Sequence, residues 1–592
     1  MTITTPRAPV PRVRAACWVG ATLLGAVQVW VGRFAVNADG ISYMDEGDAY
    51  FRGEWSKALN AYWSPLYSWL LGLANYVGKP STYWEFPVVH LMNFVIYVGT
   101  LACFDLFIGE LVSFRETNRF TVMGGVQKGV PPWAFVLLGY VVFVWSSLDM
   151  ITLAVVTPDM LVAAVVYAAS ALLLRVRARG KTVGWPTFVQ LGGVLGVGYL
   201  AKAPMFPLAV VFLVVSGFVV GNFRDALPRV SLASVAFCCL ASPLVIALST
   251  AKGRPTFGDS GRLAYAWYVN GANLESDQAW VFSRRWQGEP AGSGTPKHPV
   301  RKVSENPRIY EFAAPLGGTY PVWYDPSYWY DGLQVHFDVR KQFGTIAENL
   351  YVYYDLFANF HPFEFLRTGS FARMASQLKW VPLVMTGAWL LLLYQSGRRL
   401  RVFGDLCEYW YLVTPGLLAA FMYLLVHVEG RFIAPFATVA YLGALAALRL
   451  RDARPTGKLL VGAVIPALAV ITISFVNSTR KTSPLDWEIA TGLKRMGLQP
   501  GATVASLQNA NRVHVRWARL ARARIIAEMD SHAGRASEDE FWMADAATRN
   551  RVLQSFARTG ASVVVAAAVP ASADLNGWER IGETQYFAHF LK

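Results

Sequence analysis

The sequence predicts an α-helical polytopic membrane protein with about eleven transmembrane helices, followed by a small extracytoplasmic α/β domain at the C-terminus. Three observations predict it. Hydrophobic residues make up 54% of the 592 positions and charged residues 16%, at a mean hydropathy of +0.33, a balance foreign to an ordinary soluble enzyme. Apolar runs long enough to span a bilayer recur through residues 1–476. Lys and Arg gather in alternate loops between those runs, as expected of loops on the cytoplasmic side.

In chain order the expected spans are 15–34, 85–109, 132–149, 151–174, 187–201, 204–222, 229–250, 378–396, 406–428, 431–449 and 458–476. Arg7, Arg12 and Arg14 precede the first run and Arg33 alone borders its far end, which puts the N-terminus in the cytoplasm. That run is long for a signal peptide and no A-x-A pattern follows it, so an uncleaved helix is expected. The loops that should be cytoplasmic carry Arg115/Arg119/Lys128, Arg175/Arg177/Arg179/Lys181, Arg224/Arg229, Arg398/Arg399/Arg401 and Arg449/Arg451/Arg454/Lys458. Topology therefore accounts for much of the net charge of +15, and no nucleic-acid partner is expected. The five cysteines lie in or beside apolar segments, which supports neither a disulfide framework nor a thiolate metal site.

Two outward loops, 35–84 and 251–377, belong to the membrane domain of residues 1–476; residues 477–592 form the outward tail. The first loop holds an acidic cluster, Asp39, Asp45, Glu46 and Asp48, and an aromatic run, 62–71, that reads as a helix in the membrane interface. The second centres on the Trp- and Tyr-rich stretch 321–331, where anchoring to the bilayer and stacking on a sugar are both open readings. In the tail, apolar runs at 503–507, 523–526 and 562–568 alternate with helical patterns near 487–496, 512–521 and 539–558. A glycine-rich stretch, Gly192 to Gly198, lies inside a span and reads as close helix packing rather than a nucleotide loop.

Ionisable residues within the apolar segments are few and collect at their outward ends. Asp159 follows Thr157-Pro158, Lys202 precedes Ala203-Pro204, and His427, Glu429 and Arg431 lie between the ninth and tenth spans. A charge at membrane depth costs a few kcal/mol, so each is a functional candidate. Their types suit a phosphate held by Lys202 and Arg431, with a carboxylate placed to take a proton from a nucleophile. Each has a structural alternative: Asp39 and Asp48 as loop or capping residues, Asp159 as a helix cap, Lys202 snorkelling to headgroups, Arg431 with Glu429 as an interfacial ion pair.

With these motifs in order, the chain resembles the GT-C glycosyltransferases, in the branch of the protein O-mannosyltransferases and the lipid A aminoarabinose transferase. Asp39-Gly-Ile-Ser-Tyr43 is similar to the family's acidic D-E-x-x-Y motif, and Ser64-Pro65-Leu66-Tyr67-Ser68-Trp69-Leu70 to its P-P-L-x-x-W-L run. Thr157-Pro158-Asp159 matches a Pro-Asp turn, Leu200-Ala201-Lys202-Ala203-Pro204 a T-K-G-P-like motif, and Arg431-Phe432-Ile433-Ala434-Pro435 an R-Y-x-x-P motif. The resemblance reaches to about residue 450 and leaves the tail unassigned. It departs at Gly40, where the family has Glu; Asp45, Glu46 or Asp48 is then the substitute acidic partner, or none is.

The resemblance implies a GT-C-like membrane fold and an inverting transfer of a hexosyl or pentosyl group from a polyprenyl-phosphate donor at the outer face of the cytoplasmic membrane. Asp39 would be the general base and Asp159 would complete an acidic pair at the acceptor. Tyr43, Asp45, Glu46, Asp48, Lys202, His427, Glu429 and Arg431 would bind substrate, with Lys202 and Arg431 on the leaving phosphate. Expected partners are the lipid-linked sugar, membrane lipids and a protein, glycolipid or polysaccharide acceptor. No nucleotide cofactor is expected, and carboxylates alone do not tell a base from a ligand of a divalent cation. The competing classes are a transporter or flippase of lipid-linked sugars, which paired halves and midplane charges would favour, and a non-catalytic cell-surface scaffold.

Overall fold

The computed structural model describes residues 10–117, 121–122, 125–126, 128–272, 294–312, 315, 317–357, 407–447, 449–450, 482–508, 510, 514–529, 537–567 and 569–591. The expected spans 378–396 and 458–476 lie outside the described residues. The chain runs through α1 (Val10–Gly32), α2 (Ala38–Phe51), α3 (Trp55–Ala58), α4 (Pro65–Gly78), α5 (Glu85–Thr117), α6 (Pro132–Trp145), α7 (Asp159–Arg179), α8 (Trp185–Ala201), α9 (Met205–Val220) and α10 (Phe223–Lys252). It continues through α11 (Ser260–Tyr268), α12 (Pro321–Tyr324), α13 (Pro326–Trp329), α14 (Val339–Phe357), α15 (Trp410–Leu424) and α16 (Gly430–Ala446). Among the described residues five helical stretches are long and apolar enough to cross a membrane: α1, α5, α6 with the turn that extends it, α7 and α10; α9, α15 and α16 are shorter apolar helices.

The fourth span differs from expectation. A π-helical turn, Ser146–Ile151, closes α6, Thr152 takes a positive φ of 62°, and α7 starts at Asp159 rather than near 151. Pro158 explains the late start, since it disfavours helical backbone at Thr157 and is itself suited to a helix N-terminus. The result places Asp159 in the first turn of α7, where a carboxylate complements the helix dipole.

Small residues let the helices approach. A Cβ on Gly192 would stand 2.0 Å from the Ala233 carbonyl oxygen, so α8 and α10 meet backbone to backbone. Likewise a Cβ on Gly47 of α2 would meet the Ser68 carbonyl of α4 at 2.5 Å. The aromatic run 62–71 is helical only from Pro65, and α4 buries Tyr67, Ser68 and Leu71 against this crossing while Tyr76 and Val77 stay exposed. Arg115, Arg177 and Arg179 sit at the far ends of α5 and α7, away from Asp159.

A seven-stranded sheet packs beside the membrane helices. Its strands are β1 (Arg301–Glu305), β2 (Arg308–Glu311), β3 (Thr503–Ser506), β4 (Arg524–Met529), β5 (Val563–Ala566), β6 (Glu579–Arg580) and β7 (Phe587–Phe590), in spatial order β6-β7-β5-β3-β4-β2-β1. β3 runs parallel to β4 and β5, and the other pairs are antiparallel. Two of the strands come from the loop 251–377. Among the described residues four helices accompany the sheet: α17 (Leu485–Arg495), α18 (Val515–Ala521), α19 (Ser537–Met543) and α20 (Ala546–Arg558). The single helical pattern expected near 539–558 is broken in two because the Asp545 side chain accepts from the Thr548 N–H and caps a new helix. Arg519 of α18, 3% exposed, ties this layer to the membrane helices: it meets Asp45 at 2.6 Å, Asp48 at 2.7 Å and Glu85 at 2.8 Å.

Candidate functional site

At the end of the membrane helices opposite the basic turns lies a cavity of about 620 Å³. Its walls come from the start of α2 (Asp39, Tyr43), the approach to α4 (Tyr62, Trp63), the turn after α8 (Lys202), Tyr268 of α11, Trp323 of α12, the α15–α16 turn (His427, Glu429, Arg431, Phe432) and Arg516 of α18.

Asp39 occupies the first turn of α2, where the helix dipole favours its charge. Its Oδ1 accepts a hydrogen bond from the Trp323 indole at 2.9 Å, and its Oδ2 lies 3.9 Å from Arg431. The Trp323 carbonyl in turn accepts from Ser42 at 3.0 Å and from the Trp63 indole at 3.2 Å, so the indole that holds Asp39 is itself held. Burial pushes the Asp39 carboxyl above the ordinary carboxylate range, with Arg431 and Trp323 offsetting part of the rise. A carboxylate raised this way is a stronger base than one in water.

Behind the wall, Asp159 is 2% exposed. It accepts from the Lys202 ammonium at 2.5 Å, and its other oxygen stands 3.7 Å from Arg431 Nε with no hydrogen-bond partner among the described residues. Lys202 caps α8 at the C-terminal end that suits a cation. Arg431 stands in the first turn of α16, where the dipole is positive, and three carboxylates compensate it: Asp39, Asp159 and Glu429, the last at 2.5 Å. Burial acts to raise the Glu429 carboxyl, but the His427 hydrogen bond and the Arg431 charge together hold it down at about 2. His427 donates from Nε2 to the Glu429 carboxylate at 3.1 Å and stacks flat on Tyr268, ring centroids 3.8 Å apart. Phe432 lies under both cations, 3.9 Å from Lys202 and 5.2 Å from Arg431.

The structure thus gathers Asp39, Tyr43, Lys202, His427, Glu429 and Arg431 around one cavity, with Asp159 supporting the two cations from behind. Two expectations are corrected. Asp159 does not complete an acidic pair facing an acceptor; it is buried among Lys202 and Arg431 and orients them. Asp45, Glu46 and Asp48 do not reach the cavity. The acidic stretch is one helix, α2, whose period puts Asp39 and Tyr43 on one face and Asp45 and Asp48 on another. Those two bind Arg519, and Glu46 accepts a hydrogen bond from Ser68 at 2.8 Å. Among the described residues no group of three or more His, Cys, Asp or Glu stands close enough to hold a metal ion.

No family model matches the chain, and no curated protein matches it. Solved structures do. An oligosaccharyltransferase from Archaeoglobus fulgidus, tethered to an acceptor peptide containing the NVT sequon, is 12% identical with a TM-score of 0.48, over 93% of this chain and 69% of that one. ArnT from Cupriavidus metallidurans in the apo state is 13% identical with a TM-score of 0.37, over 97% and 98% of the two chains. The same protein bound to undecaprenyl phosphate is 12% identical, again with a TM-score of 0.37, over 96% and 98%.

Three wall residues, Tyr62, Tyr268 and Arg516, have no signal of their own in the sequence, and the stretch 321–331, which holds Trp323, leaves bilayer anchoring and sugar stacking both open. Tyr62 belongs to a run whose aromatics serve packing as readily as binding. Trp323 packs against Trp63 with centroids 5.4 Å apart and against Tyr62 at 5.7 Å, giving the cavity an aromatic side. Tyr268 carried no signal beyond its place in a loop. Arg516 is one of many arginines in the polar tail, and its place in the wall follows from tertiary docking alone.

Proposed function

We propose that this protein is an inverting glycosyltransferase that moves a sugar from a polyprenyl-phosphate donor to an acceptor hydroxyl at the outer face of the cytoplasmic membrane. The observation that carries the reading is the confrontation, within 3.9 Å, of a raised carboxylate, Asp39, with a cation, Arg431, that shares Asp159 with Lys202. Asp39 takes the proton of the acceptor hydroxyl as its oxygen attacks the anomeric carbon. The bond from that carbon to the phosphate oxygen breaks, and its electron pair leaves with the polyprenyl phosphate. Lys202 and Arg431 neutralise the charge that develops there. A single displacement inverts the anomeric centre.

The other residues serve this step. Trp323 holds the Asp39 carboxylate toward the cavity, and Asp159 holds the cations. The rings of Tyr62, Trp63, Tyr268 and Trp323 offer faces for a sugar, and Met422, Val426, Pro207 and Phe257 offer an apolar path for the lipid tail. His427 orders Glu429 and, through it, Arg431.

The test is transfer from a panel of radiolabelled polyprenyl-phosphate hexoses and pentoses by the purified protein in lipid, with the anomeric configuration of the product read by NMR. The reading expects turnover of at least one donor with inversion. A retained configuration contradicts the single displacement, and movement of a labelled lipid across the bilayer without transfer would make the protein a flippase.

A further inference from the structure

The C-terminal layer contributes to the cavity a cation that lies beyond the resemblance to known transferases. We propose that Arg516 is a specificity-determining residue that binds an anionic oxygen group, carboxylate or phosphate, on a ligand entering from the sheet side; the assignment to a transferase substrate rests on the function proposed above.

Three observations support it. Arg516 lines the cavity from α18, while Lys202 and Arg431 enter it from the membrane helices. Its Nε donates to Asp486 of α17 at 2.8 Å, and Asp486 is outside the cavity wall, so the carboxylate orients the guanidinium without occupying the ligand space. Three residues further along the same helix, Arg519 is locked between Asp45, Asp48 and Glu85, which anchors α18 to α2, the helix that carries Asp39.

These contacts give the arm its purpose. An arginine side chain loses roughly 2 kcal/mol of rotamer entropy when it is immobilised. Here Asp486 and the Arg519 anchor have already restricted it, so a ligand does not bear that cost on binding. Guanidinium is planar, permanently charged and weakly hydrated, and its donors fit carboxylate and phosphate oxygens. Lys202 and Arg431 reach the cavity from the membrane helices beside Asp159, Glu429 and Asp39, and Arg516, held by Asp486, presents a further guanidinium to it from the sheet side. The group can come from two sources: the phosphate of the lipid donor, or an acidic substituent of the acceptor.

The experiment measures equilibrium binding to the full-length protein in nanodiscs, with Arg516→Gln and Arg516→Lys beside the parent. The probes are undecaprenyl phosphate with undecaprenol as its neutral counterpart, and methyl glucuronide with methyl glucoside as its own. The expected result is a loss of about tenfold or more in affinity for one anionic probe in Arg516→Gln, with its neutral counterpart unchanged and Arg516→Lys between. Loss on undecaprenyl phosphate assigns Arg516 to the donor, and loss on the glucuronide assigns it to the acceptor. Unchanged affinity for both anions overturns the proposal, as does an equal loss for charged and neutral probes. If Arg516→Gln lowers the unfolding temperature, Arg516→Lys alone is judged. Binding is read without turnover, so failure of the transferase reading appears separately, as no donor consumed while the Arg516 dependence persists.

Discussion

At the scale of single residues, the pH at which Asp39 can act is set by its surroundings. Burial raises its carboxyl above the ordinary range, and only the ionised form can accept a proton. The acid limb of kcat/KM for transfer should therefore fall at a pH above roughly 4, the usual carboxylate value, and a pH–rate profile checks it. Trp323→Phe keeps a ring in the wall but removes the indole donor that favours the ionised form. It should shift that limb to higher pH and lower the rate at neutral pH by about tenfold. Glu46 behaves differently: burial pushes its carboxyl well above the usual range, so the folded state favours the protonated form. Its contribution to stability is complete below the unfolded value and is lost as pH rises through the folded one. Glu46→Gln should remove that loss, so unfolding temperatures measured across neutral and alkaline pH should decline less steeply than in the parent.

At the scale of elements, helix ends do most of the positioning. Asp39 and Asp159 sit in first turns and Lys202 at a C-cap, so three charges are placed where the backbone dipole favours them. Arg431 is the exception, at an N-terminus, and it is the residue with three carboxylates around it. These charges were legible in the sequence because an ionisable group at membrane depth is costly enough to need a reason. The misplacement of Asp45, Glu46 and Asp48 has an equally plain cause: the stretch is a helix rather than a loop, so its period turns Asp45 and Asp48 away from Asp39 and Tyr43, while Glu46, two turns beyond Asp39, meets Ser68 of α4 instead of the cavity. Close packing of α8 on α10 makes a further prediction. Gly192→Ala puts a methyl group into the Ala233 carbonyl and should destabilise the membrane domain by about 1–3 kcal/mol, read from unfolding in detergent, whereas Gly193, with nothing near its missing Cβ, should accept Ala.

At the scale of the whole molecule, the sheet and the membrane helices are joined through buried charge. Glu85 and Asp45 are 1% and 7% exposed and converge on Arg519. Among the described residues, Arg519→Met would leave Asp45 with only the Thr319 donors and Glu85 with only the half-exposed Arg522, and should cost about 3–5 kcal/mol. Hydrogen exchange should then quicken in α18 and β4 while α5 and α7 stay protected; unchanged exchange would mean that the ion cluster does not hold the layers together. The alternating runs of the tail were readable as strands and helices because period reports locally. The joining of β1 and β2 to that sheet, and the arrival of Arg516 in the cavity, were not, because docking between distant segments leaves no local pattern.

The most direct test separates the two charges that face each other. Transfer and undecaprenyl phosphate affinity are measured together for the parent, Asp39→Asn, Lys202→Gln and Arg431→Gln. If Asp39 is the base and the cations hold the leaving phosphate, Asp39→Asn abolishes transfer while keeping lipid phosphate affinity, and each cation variant loses that affinity. Transfer retained by Asp39→Asn, or phosphate affinity unchanged in both Lys202→Gln and Arg431→Gln, would contradict the account.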